Sequence, residues 1–122
     1  MVDRTGRSDA SVVFWALDMT AELLRAFLTG EIGGAAAVRI LEKYLIRMRG
    51  IANISQLLGE EEIEAGAATA EEGAFEGDAG DLNLEIGDAQ QSLGTLQIGV
   101  SAAARIAVYL IDLTIDIILL FD

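Results

Sequence analysis

The chain has 122 residues, of which 52% are hydrophobic and 23% are charged, and its formal net charge is −12 at pH 7. A chain of this length forms one modest domain with a limited core, so the apolar surplus predicts burial against partner subunits or lipid. Histidine and cysteine are both absent, which excludes disulfides, thiolate zinc sites and proton transfer by histidine.

Residues 1–10 are predicted to form an N-terminal tail. They contain no apolar core followed by a small-residue cleavage site, so we expect no secretion signal. The first helix is predicted from about Asp9 or Ser11 to Thr29, because an acid or hydroxyl residue can cap its start and Gly30 supplies a stop. Apolar residues occupy most of this helix, which predicts burial on most sides.

Polar side chains of the first helix fall within one narrow arc at about 100° per residue. The members that matter for assembly are Asp18, Glu22 and Arg25. A polar stripe on an otherwise apolar helix either faces water or sets the register against a neighbouring helix.

The second helix is predicted from about Ala35 to Leu58, and residues 11–58 then form a helical hairpin. Ile46 and Leu57 fall on its polar half, where a helix that faced only water would not place them. We therefore predict that both contact another subunit.

Basic residues gather on this second helix, at Arg39, Lys43, Arg47 and Arg49. Four basic residues on an amphipathic helix usually form a solvated face, and the alternative is contact with anionic lipid or nucleic acid. Because the chain is strongly acidic overall, no nucleic-acid partner is expected.

Residues 59–94 are predicted to form an acidic, glycine-rich loop. This segment contains eleven acids, all between Glu60 and Asp88, and no basic residue. The alternation of Leu82, Leu84 and Ile86 with polar residues predicts a short β-hairpin arm within it. The spacing of these acids departs too far from a calcium-binding loop to predict a metal site. No cofactor is expected either.

The last helix is predicted from about Thr95 to Phe121, within a segment 95–122, and its few polar groups also form one stripe. Arg105 precedes Asp112 by seven residues, as Asp18 precedes Arg25. A parallel alignment would pair Arg105 with Asp18 and Asp112 with Arg25, within a subunit or between neighbours, whereas an antiparallel alignment would oppose acids. The alternative is that each stripe faces water.

The sequence gives less support to a catalytic role for the charged residues than to a structural one. Asp112 and Asp116 are spaced four residues apart and share a helical face, but a carboxylate pair near Arg105 is more often structural. We therefore predict that the chain is not an enzyme and has no small-molecule substrate.

These patterns predict one all-α domain, a three-helix up-down-up chain with an acidic loop between its second and third helices. The expected function is that of a structural subunit in a homo-oligomeric assembly. The composition, with one Lys beside seven Arg and abundant acids, resembles that of proteins from salt-loving archaea and their viruses, which suggests a virion component; an ordinary acidic linker is the alternative reading.

Two other functions remain open at this point. One is a small membrane-embedded oligomer whose charged stripes, including Asp116, face the bundle interior and whose apolar flanks contact lipid. The other is a helical adaptor or chaperone. A virion or cytoplasmic location is favoured over a membrane location.

Overall fold

The described part of the chain is entirely helical. The structure, a computed structural model, describes residues 9–57, 78–95 and 97–121. These residues form four helices and no strand: α1 (Asp9–Leu28), α2 (Gly34–Leu57), α3 (Ala79–Gly94) and α4 (Val100–Phe121). The predicted all-α class is confirmed, and the predicted count of three helices is wrong.

Helix α1 has charges that suit its dipole, with Asp9 in its first turn and Arg25 in its last turn. The chain leaves the helix at Gly30, whose φ of 79° lies in the left-handed region that side chains with a Cβ rarely adopt. The amide of Glu31 donates to the Ala26 carbonyl at 2.7 Å and closes the end. The predicted stop at Gly30 therefore agrees with the structure to within a residue.

Helix α2 returns antiparallel to α1 after the short turn 29–33. The rings of Trp15 and Tyr44 meet edge to face with centroids 5.1 Å apart, which places the first half of α1 beside the middle of α2. Helices α1 and α2 thus form a helical hairpin, in which α2 begins one residue before the predicted position; the predicted end at Leu58 lies outside the described residues.

Helix α3 occupies positions where the sequence predicted a loop with a hairpin arm. The Asp78 side chain accepts from the Asp81 amide at 2.9 Å, and the Asp81 carboxylate accepts from the Asp78 amide at 3.1 Å. This reciprocal capping box starts the helix. The buried residues recur every three or four positions, at Leu82, Ile86, Ala89 and Leu93. The hairpin-arm prediction is wrong because this spacing is helical.

Helix α3 runs antiparallel to α1, as two side chains that bridge the pair show. Asn83 Nδ2 donates to the Ala21 carbonyl at 3.1 Å, and Gln90 Nε2 donates to the Phe14 carbonyl at 3.2 Å. A short connection then reverses the chain into α4, so α4 runs parallel to α1. The topology is up-down-down-up, because α3 adds a second descending helix to the predicted up-down-up order.

Helices α1 and α4 lie at the centre of the bundle, and each contacts all three other helices, whereas α2 and α3 make no contact with each other among the described residues. The two therefore lie on opposite sides of the α1–α4 pair. The first half of α4 buries Ala102, Ala103, Ala104 and Ala107 completely. Such small side chains allow neighbouring helices to approach closely.

Candidate assembly interface

The polar stripe of α1 is exposed, and its Arg25 pairs with acids near the C-terminal end of the same helix. Arg25 lies 2.6 Å from the Glu22 carboxylate and 3.6 Å from that of Glu31. The hydrogen bond to Glu22, followed by the charges of Glu22 and Glu31, raises the pKa of Arg25. Asp18 is exposed on the same face. These ion pairs are solvent-exposed, so each contributes little to stability.

The polar stripe of α4 faces outward only in its second half, where Asp112 and Asp116 are exposed, whereas Arg105 is half-buried. Within the chain, Arg25 is paired with Glu22 and Glu31 and not with Asp112. The buried sides of α1 and α4 pack against each other and leave both stripes at the surface. Their pairing between neighbouring subunits stays a prediction.

Ile46, predicted to contact another subunit, lies at the surface of α2. Its side chain is 69% exposed and lies beside the exposed basic residues Arg39, Lys43 and Arg47 on α2. Leu57, the other predicted contact, is the last residue of α2, and its side chain lies outside the described part of the structure. That these residues touch a partner stays a prediction.

Further large hydrophobic residues are exposed that the sequence did not single out. Their exposed fractions range from 42% to 80%, and besides Ile46 they are Phe14, Trp15, Leu28, Leu84, Leu119, Leu120 and Phe121. The sequence could have indicated that Leu84 is exposed. If residues 82–86 are taken as helical, Leu82 and Ile86 share one face and Leu84 lies on another. No comparable signal marked the last turn of α4, where apolar residues occupy every position.

The acids that superficially resemble a calcium loop have another role in the structure. Asp78 and Asp81 cap α3 through each other's backbone amides, and the Asn83 side chain amide bonds to α1. Among the described residues, no group of three acids is arranged to hold a metal ion. In this segment, Asp78 and Asp81 therefore start a helix.

Comparison of the chain with protein-family models, curated proteins and solved structures gives no significant match. None of the described helices combines the length and the apolar character that a membrane span requires.

Proposed function

We propose that this protein is a non-enzymatic structural subunit of a homo-oligomeric assembly. The observation that supports the proposal is the set of eight large hydrophobic side chains that are between 42% and 80% exposed. They occur on all four helices, so one copy leaves apolar surface in water on several sides. Contact with further copies would remove that surface from water.

The magnitudes favour contacts that use several of these side chains together. Full burial of one Leu, Ile or Phe side chain contributes about 1.5–3 kcal/mol, whereas association costs at least about 4 kcal/mol of lost translational and rotational freedom. Burial of one exposed leucine therefore cannot offset the cost of association. Burial of several exposed side chains, in an assembly with more than one contact per subunit, can offset it.

The exposed charges fit the same role. Asp18, Glu22 and Arg25 on α1 and Asp112 and Asp116 on α4 are exposed at helical spacing, and Arg105, in the same stripe of α4, is half-buried. Charges around an apolar contact fix orientation and register more than they add affinity. We further propose that the assembly is a virion, and the acidic, arginine-biased composition of the chain supports this proposal.

The first experiment is to measure the mass of the purified protein by light scattering behind a sizing column, at low and at molar salt and without detergent. We expect a defined multiple of 12.9 kDa, the mass of one chain. Screening of the net charge of −12 should favour the larger species at molar salt. A monomer at about 100 µM protein under both conditions would sink the proposal. Recovery in detergent alone would favour the membrane alternative instead.

A helical adaptor is the second candidate, and the end of α4 favours it. Leu119, Leu120 and Phe121 are exposed at the same end of the bundle as Leu28 on the parallel helix α1. An apolar patch at the end of a helical bundle can accept an amphipathic helix of another protein. The mass measurement separates the two candidates, because an adaptor stays small at molar salt.

A further inference from the structure

One face of α2 combines an exposed hydrophobic residue with positive charge. Ile46 is 69% exposed and shares its side of the helix with exposed Arg39, Lys43 and Arg47 at helical spacing. The helix contains one acid, Glu42. We define these basic residues with Ile46 as the α2 face.

One face of α3 has the opposite character. Leu84 is also 69% exposed, and Asp81 and Asp88 are exposed next to it at helical spacing. Helix α3 contains no basic residue. We define Leu84, Asp81 and Asp88 as the α3 face. Each face thus combines one large exposed apolar side chain with a charge excess of one sign, although Glu42 is exposed one turn before Ile46 and reduces the positive charge of the α2 face.

The two faces belong to opposite sides of the bundle. Helices α2 and α3 make no contact with each other among the described residues, and each packs against both α1 and α4. One copy therefore cannot bring its own two faces together. A second copy can present its α3 face to the α2 face of the first.

We infer that copies of this chain associate head to tail, with the α2 face of one copy against the α3 face of the next. Pairing like faces would oppose basic residues with basic residues, or acids with acids, which costs energy. Pairing unlike faces brings Ile46 and Leu84 together inside a rim of opposite charges. Such a contact is heterologous, so it continues from copy to copy into a ring or a filament.

This inference rests on the proposed function and specifies which surfaces form the assembly. It also gives the acidic chain a local site of attraction despite its net charge of −12. The basic residues of α2 supply that attraction, since they are four of the eight Lys and Arg residues in the chain.

Two variants that each block one face test the inference. Ile46→Glu places a negative charge among hydrophobic contact atoms on the α2 face, and Leu84→Glu does the same on the α3 face. Both side chains are exposed and glutamate is a good helix former, so the helical circular dichroism should be unchanged. Each variant alone should associate at least about tenfold more weakly than the unmodified chain, as seen by light scattering.

Mixing the two variants gives the decisive result. Ile46→Glu keeps a working α3 face and Leu84→Glu keeps a working α2 face, so the mixture should form a 1:1 complex of about twice 12.9 kDa. That complex cannot grow, because its two free faces both contain the added glutamate. Leu120→Glu is the matched control, since Leu120 is exposed at the end of α4, outside both faces, and this variant should weaken association less than either face variant does.

Three results would overturn the inference: association of both single variants at the strength of the unmodified chain, a mixture that stays monomeric, or equal weakening by Leu120→Glu. The first and third leave the proposed function standing, because the chain would still assemble through other surfaces. A monomeric unmodified chain would instead remove the proposed function and this inference together.

Discussion

Tyr44 is half-buried where α2 crosses α1, and its ring meets that of Trp15 edge to face at an interplanar angle of 74°. Removal of the phenol from water disfavours its ionised form, so burial raises the pKa of Tyr44 above the usual value of 10.0. The folded chain therefore holds a neutral phenol at a pH where an unfolded tyrosine has begun to ionise.

This shift has a pH consequence for stability. The contribution of Tyr44 is fully present below about pH 10, the unfolded pKa, and is lost as pH rises through the higher folded pKa. Thermal unfolding of the unmodified chain and of Tyr44→Phe should be compared at pH 8 and pH 11. The unmodified chain should lose more stability between them. Equal losses would mean that Tyr44 titrates as it does in water.

At the scale of single helices, the length of the apolar pattern decided what the sequence could predict. Helix α1 ends and helix α2 begins within a residue of the predicted position, because each helix has an apolar pattern of some twenty residues and glycines form the turn between them. In α3, Leu82, Leu84 and Ile86 fit both a strand and a helix over five positions. Only their continuation to Ala89 and Leu93 distinguishes the two.

The start of α3 carried a sequence signal that the acidic composition obscured. Asp78 and Asp81 are spaced as a capping box requires, yet they read as two more charges in an acidic loop. Their hydrogen bonds of 2.9 and 3.1 Å to each other's amides show the cap formed. A segment rich in acids and glycine can therefore begin a helix where its acids have this spacing.

Removal of this cap should destabilise α3. Asp78→Ala leaves an amide in the first turn of α3 without its acceptor and should lower the free energy of unfolding by about 1 kcal/mol, measured by denaturant titration. Asp88→Ala is the control, since Asp88 is exposed on the same helix outside the cap and should change stability by less than about 0.5 kcal/mol. Similar losses from both variants would argue against a capping role.

In the whole molecule, α1 and α4 hold the bundle together because each contacts the other three helices. Leu110, in the middle of α4, is almost completely buried. Leu110→Ala should create a cavity and lower the free energy of unfolding by about 2–5 kcal/mol. Leu120→Ala, on the same helix but exposed, should change it by less than about 0.5 kcal/mol. A loss below about 1 kcal/mol for Leu110→Ala would show that α4 is not a central helix.

The arrangement of helices was less predictable than their existence. Seven-residue spacings of opposite charge predicted that Arg25 pairs with Asp112, within a subunit or between neighbours, with water-facing stripes as the alternative. Charge pairing within the chain depends on which faces the apolar packing leaves outside. Helix α1 buries Val13, Leu17 and Leu24, which turns Arg25 to the surface, where Glu22 and Glu31 are nearer partners. The contribution of α3 to that packing was missing from the predicted set of helices.

Parallel α1 and α4 give the molecule two different poles, with residue 9 at one and residue 121 at the other. Helix α4 alone is about 33 Å long, so a tether from residue 121 of one copy to residue 9 of a second would need about ten extended residues to let the two lie side by side. A tether of a few residues, which requires removal of most of residues 122 and 1–8, would hold the copies pole to pole instead, where the α2 face of one is out of reach of the α3 face of the other.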